Sequence, residues 1–153
     1  MMKNKIAFIL IFFLLNSCGY NSILKNNTSD FSIVSIKIQD RNKISYKIKN
    51  SLSNYVGLEN KSKNYIISIK SDDTKRITSR DSRGDQKTLE LSISVKLSIL
   101  ENQNSYDKEF NKNFAYTDRA NKFELRNYEN SIIDNLVEKI SMDINKYMSE
   151  ISK

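Results

Sequence analysis

The sequence predicts an α+β fold, a two-layer sandwich with two helices on one face of a four-stranded sheet in the order β-α-β-β-β-α. Three observations lead there. Leu89, Leu91, Ile93, Val95, Leu97 and Ile99 alternate strictly with Glu90, Ser92, Ser94, Lys96 and Ser98, the period-two pattern of a strand with one face buried and one face wet. Two other stretches repeat apolar residues at spacings of three and four, the period of a helix. Each helical stripe needs an apolar surface to cover, and placing both on one side of the sheet leaves the serine- and lysine-rich face open.

The folded part starts at Phe31. Phe31 and Ile33 share one parity and Val34, Ile36 and Ile38 the other, as in a strand with a local bulge or burial on both faces. Asp40 stands where an N-cap would, followed by Ile44, Ile48, Leu52 and Tyr55 at helical spacing, with Gly57 placed as a C-cap. Tyr65, Ile67 and Ile69 open a second strand whose alternation weakens through Ile77 towards Arg80. The Leu89–Ile99 strand is the third. A polar turn over Asn102 to Ser105 leads to a fourth, weaker strand with Phe110, Phe114 and Tyr116, bounded by Asp118; strands joined so closely pair antiparallel. Asn121 and Glu124 resemble a capping box ahead of a last helix carrying Ile133, Val137, Ile140, Ile144, Tyr147 and Ile151, with Ile132 and Leu136 widening the stripe. The pattern is too short for a sustained coiled coil.

Ahead of this domain, Lys3 and Lys5 precede an apolar run from Ile6 to Leu15 that ends at Asn16-Ser17-Cys18-Gly19. The run is within the ~7–15 residues of a secretory core and short of the ~20 that span a bilayer. Residues 1–17 therefore read as a signal peptide, residues 18–30 as a modified N-terminus and polar tether, and residues 31–153 as a single domain. Leu15 and Ser17 stand before the chain's one cysteine as in a bacterial lipoprotein signal, which implies a diacylglycerol thioether on Cys18 and an acylated amino group. Several acyl chains, at about 0.8 kcal/mol per buried methylene, hold a protein on a membrane where one would be marginal. By the same analogy Gly19 implies an outer-membrane destination.

Loss of Lys3 and Lys5 leaves 23 of the 25 basic residues against 18 acidic ones, a net charge of +5. An exported chain does not meet the genome, so anionic head groups, not nucleic acid, are the expected counter-charge. With no histidine and only one cysteine, most catalytic and metal-binding constellations are missing. The serines lack a glycine elbow or a paired base. We therefore expect no enzyme, no cofactor and no metal. Cations cluster only at Lys75, Arg76, Arg80, Arg83 and Lys87, interspersed with Asp72, Asp73, Asp81 and Asp85. This reads either as an ordinary solvated loop or as a phosphate-binding arm, since arginine's planar fork matches phosphate oxygens and N–H groups around Gly84 would assist.

Cys18-Gly19-Tyr20, the strand and helix that follow, the hairpin around Arg80 to Thr88, the Leu89–Ile99 strand and a final helix opening near Asn127 to Ile132 together resemble the LPS-assembly lipoprotein LptE family over nearly the whole mature chain. This sequence differs in having no proline. The resemblance implies a non-catalytic protein on the periplasmic side of the outer membrane, seated as a plug inside the barrel of an LptD-like partner and touching lipopolysaccharide. On the phosphate-binding reading of the basic arm, Arg76, Arg80, Arg83 and Lys87 are the lipopolysaccharide contacts, and the resemblance implies further basic contacts near the start of the last helix, where Lys122 and Arg126 stand. A lipoprotein that scaffolds another envelope complex is the alternative.

Overall fold

The computed structural model describes residues 30–153. The expected signal peptide of residues 1–17, the expected anchor at Cys18 and all but Asp30 of the expected tether of residues 18–30 lie outside the described residues. The predicted α+β order is the one observed. Strands β1 (Phe31–Ile38), β2 (Lys63–Arg80), β3 (Gln86–Glu101) and β4 (Asn104–Thr117) form one sheet in the order β1-β2-β3-β4. Helix α1 (Lys43–Ser51) links β1 to β2, which run parallel, and α2 (Lys122–Ile151) follows β4. The other two pairings are antiparallel.

The conflicting parities of the first strand are reconciled by a bulge. Ile33 faces Tyr65 and Ser35 faces Ile66, so Val34 is the extra residue. The extra residue turns Ile33 and Ile36 towards the same face, where both join the core. Along β2 and β3 the alternation holds. Tyr65, Ile67 and Ile69 on β2 and every odd residue from Leu89 to Ile99 on β3 are buried under the helices. On β4 only Phe110 and Tyr116 are buried, and Phe114 stays 42% exposed at the sheet's edge. The turn between β3 and β4 is shorter than predicted. Glu101 pairs with Asn104, and Asn102 at φ 52° lets a two-residue loop close, a left-handed conformation that asparagine tolerates.

The first helix departs from the sequence reading at both ends. Its N-cap is Asn42, whose side chain accepts from the Ile44 N–H. Asp40 instead joins three pieces of chain: its carboxylate accepts from the N–H of Asn42 at 2.8 Å, the hydroxyl of Ser45 at 2.9 Å and the N–H of Ser71 at 2.6 Å. The α-helix ends at Ser51, and Tyr55 belongs to a separate 3₁₀ turn over Ser53–Tyr55. Gly57 at φ 70° follows that turn and donates its N–H to Ile33 O.

Helix α2 opens where the capping box predicts. Asn121 Oδ1 accepts from the N–H groups of Phe123 and Glu124, and its amide donates to Glu124. The helix therefore begins at Lys122, ahead of the opening near Asn127 that the family resemblance implied. Its buried line is Leu125, Ile132, Leu136, Val137, Ile140, Ile144 and Met148. Ile133, Tyr147 and Ile151 flank that line, half-buried. Leu125 and Met148 extend it beyond the predicted stripe.

Strand lengths decide where the core sits. β1 pairs with β2 only as far as Ile69, and from Asp72 onward the side chains of β2 are exposed except for the half-buried Ser79. The half of the sheet near Phe31 carries both helices. The other half projects as a long hairpin with only the start of α2 against it.

Candidate functional site

The six cations expected to meet lipopolysaccharide all lie at the hairpin end. Thr88 pairs with Thr117, and the Asp118 N–H donates to Lys87 O at 3.0 Å, so the root of the β2–β3 turn touches the segment leading into α2. That brings Arg76, Arg80, Arg83 and Lys87 to the same end of the molecule as Lys122 and Arg126. The N-terminal entry, where the Lys63 N–H donates to Asp30 O, lies at the opposite end. β2 runs 18 residues between the two, on the order of 55 Å at ~3.3 Å per residue.

Most of these cations are already engaged. Arg76 binds Glu90 through Nε and a terminal nitrogen, both at 2.8 Å. Lys75 donates to Glu129 at 3.0 Å, and Tyr116 donates to the same carboxylate at 2.6 Å. Burial, with the bond to Glu129 and its charge, pushes the Tyr116 phenol well above its ordinary value. Lys122 bridges to Asp118 at 2.8 Å; that bond, opposed by burial, holds the Asp118 carboxyl below its usual value. Lys87 and Arg126 are exposed and form no ion pair among the described residues.

The turn itself is self-satisfied. Asp81 Oδ1 accepts from the N–H groups of Arg83 and Asp85, and Gly84, at φ 87°, donates its N–H to Asp81 O. Arg80 folds back to donate to Gly84 O at 2.9 Å, and Arg83 lies 3.6 Å from Asp81. The N–H groups expected to assist an anion are thus used within the turn. Any phosphate here would be met by guanidinium and ammonium groups, not by a backbone nest.

Two residues at this end escaped the sequence reading. Arg119 stacks 4.2 Å over the Tyr128 ring, and Phe123 stands 68% exposed in the first turn of α2. An Arg two residues past a strand and a Phe two residues after a cap give no periodic signal, because each sits at an element boundary.

The open sheet face is polar across its breadth. Asp72, Ser94 and Asn111 form one cross-strand row, Thr74, Ser92 and Asn113 the next. A shallow trough of about 340 Å³ runs over these rows. At the N-terminal end, Ile66 and Leu100 pair across the ladder and Leu100 is 43% exposed. Among the described residues no cluster of three acidic or thiol groups is placed to hold a metal, and no helix is long and apolar enough to cross a membrane.

By sequence, the chain matches no protein-family profile and no curated protein. By structure it is similar to rare lipoprotein B from Shewanella oneidensis, with a TM-score of 0.59 at 12% identity, over 80% of this chain and 100% of that one. It is also similar to a minor lipoprotein from Acinetobacter baumannii, with a TM-score of 0.52 at 17% identity, over 76% of this chain and 94% of that one. Lipoprotein B from Nitrosomonas europaea gives a TM-score of 0.55 at 16% identity, over 82% of this chain and 87% of that one. At such identities the likeness is one of fold: this chain has the α+β architecture of these bacterial lipoproteins over most of its length.

Proposed function

We propose that this chain is an outer-membrane lipoprotein that plugs and supports an LptD-like β-barrel during lipopolysaccharide transport, anchored through Cys18. The observation that carries the reading is the fold shared with rare lipoprotein B over the whole of that chain. It combines with a lipobox placed directly ahead of the only cysteine.

The shape suits the role. The lumen of a large outer-membrane barrel is polar, and the open sheet face offers it rows of serine, threonine, asparagine and aspartate. A body on the order of 55 Å long exceeds the ~30 Å hydrocarbon core of a bilayer. With the entry end near the anchored leaflet, the cationic hairpin end reaches towards the opposite one, where phosphate-bearing lipid is delivered. The stretch from Cys18 to Asp30 spans at most about 45 Å when extended, which keeps the domain close to its anchor. No catalytic step is required by this role.

The test is to tag the lipidated protein, extract it in mild detergent and identify what accompanies it. A large β-barrel of the LptD class, recovered in stoichiometric amount, is the expected result. Recovery of a different envelope complex in its place would overturn the barrel reading and favour a general scaffolding lipoprotein. An unmodified Cys18 in the mature chain would remove the anchor itself.

A further inference from the structure

We infer that the exposed edge of β2 from Ser71 to Ile77 is a self-complementary pairing surface, and that its partner is a second copy of this chain. The inference is independent of the barrel reading, because it rests on one strand edge.

The edge exists because β1 stops early. Lys63 donates its N–H to Asp30 O, Gln39 donates to Ile69 O, and the Ser71 N–H goes to the Asp40 carboxylate. Odd-numbered residues of β2 thus turn their main-chain groups towards β1. The ladder to β3 is unbroken from Ile66 to Ile77, so Asp73, Lys75 and Ile77 keep that orientation. Among the described residues, no strand lies beside them. The window is closed at one end by Asp40 on Ser71 and at the other by the bulge between Ile77 and Ser79.

The residues in this window are Ser71-Asp72-Asp73-Thr74-Lys75-Arg76-Ile77, two acids and two bases mirrored about a threonine. An antiparallel pairing of two copies with the two-fold axis at Thr74 sets Asp73 opposite Lys75 of the second copy, and Asp72 opposite Arg76. The main-chain parity fits as well. Asp73 and Lys75 both point their N–H and C=O off the edge, so they meet as a hydrogen-bonded pair, and the two Thr74 residues meet as a non-hydrogen-bonded pair. Opposite charges placed directly across a ladder attract, where like charges repel. From Asp72 to Ile77 every side chain is exposed; Asp72 forms no ion pair among the described residues, whereas Asp73 accepts from Asn42, Lys75 pairs with Glu129 and Arg76 with Glu90, contacts that pairing with a second copy would exchange.

The other edge of the sheet behaves differently. On β4, Lys108 and Lys112 point inward, over the Tyr147 ring and onto Asp143. Pairing two β4 strands about Phe110 would set lysine against lysine, and inward-pointing charge is a common way of blunting an edge. One edge repels its copy and the other matches it.

The contact is short. Stable interfaces bury about 1,200–2,000 Å², more than seven paired residues supply, so the pair forms transiently and is best trapped. In a non-hydrogen-bonded antiparallel pair the Cα atoms lie about 4.5 Å apart, inside the ~4.4–6.8 Å range of a disulfide. Thr74→Cys in the full chain in detergent, under mild oxidation, should therefore yield a disulfide-linked dimer. Thr78→Cys should not, because in this register its two copies lie about 25 Å apart. Cys18 is present in both variants and in the unaltered chain, so its background is common to all three. Added to Thr74→Cys, Asp72→Lys with Asp73→Lys should cut the dimer yield at least tenfold, as should Lys75→Glu with Arg76→Glu, and mixing the two chains should restore it. If the second chain fails a circular-dichroism check of folding, Asp72→Lys alone carries the charge test. Equal dimer yield from Thr74→Cys and Thr78→Cys would overturn the inference, as would indifference to the charge changes.

Discussion

The two halves of the sheet are built by different physics. Near the N-terminal entry, β1, β2, β3 and both helices enclose Phe31, Ile33, Ile48, Tyr65, Ile67, Ile99, Ile140 and Ile144, all fully buried. Tyr65 is fully enclosed, its hydroxyl has no hydrogen-bond partner among the described residues, and burial, reinforced by nearby Glu101, pushes its phenol up to about 12. At the hairpin end the strands are held by their ladder and by ion pairs such as Lys75–Glu129 and Arg76–Glu90, with one layer of α2 over them. Exposed pairs of this kind contribute little, about 0–1 kcal/mol each. The comparison teaches that stability is concentrated at the N-terminal entry, while the far end is left to carry charge and contact.

Substitutions should separate the halves, and the largest effect belongs to the core. Ile140→Ala removes a fully buried side chain under the middle of the sheet and should cost about 2–5 kcal/mol, read as a lowered urea midpoint. A loss below about 1 kcal/mol would mean that the helical layer is not closely packed on β3.

The next effect sits at the boundary between the halves. Asp40→Ala strands the Ser71 N–H and the Ser45 hydroxyl, for a loss of about 2–3 kcal/mol. Burial raises the Asp40 carboxyl, but the hydrogen bonds from Ser71, Asn42 and Ser45, with nearby Lys70, outweigh it, and the net direction is downward from 3.8. A carboxyl lowered by folding stabilises the fold at pH above its unfolded value, and that contribution is lost as pH falls through the folded value. Unfolding midpoints compared at pH 7 and pH 3 should therefore differ less in Asp40→Asn than in the unaltered chain. An unchanged difference would remove Asp40 from its place as the staple between α1 and β2.

The smallest effect on stability should come with the largest effect on binding. Arg80→Glu with Arg83→Glu alters two side chains on an exposed turn and should move the unfolding midpoint by less than about 0.5 kcal/mol. If the hairpin end meets lipid phosphates, the same double change should weaken binding to purified lipopolysaccharide at least tenfold. Unchanged binding would reassign the contact to Lys87, Arg126 and the start of α2.

How much could be read in advance depended on how local each signal was. The Leu89–Ile99 alternation and the Asn121–Glu124 cap were legible because each is a short-range pattern with one physical cause. Asp40 misled because an aspartate before a helix is equally suited to capping that helix and to holding a neighbouring strand. Only the position of Ser71, 31 residues away, decides between them. The Phe114 parity was correct while its burial was not, since β4 is an edge strand and α2 does not reach over it fully. At the candidate site, the sequence identified the cations but not their partners. Glu90 and Glu129, which engage Arg76 and Lys75, come from β3 and α2.

The amino-acid sequence by itself determined the element order and the polar sheet face, because periodicity and capping act over a few neighbouring residues. The tertiary structure alone decided that β1 ends at Ile38, opposite Ile69, and leaves an exposed edge on β2, and that the hairpin cations and the start of α2 share one end of the molecule. These follow from pairings between residues far apart in the chain, whose register is set by the burial of the whole apolar face and not by any local stretch.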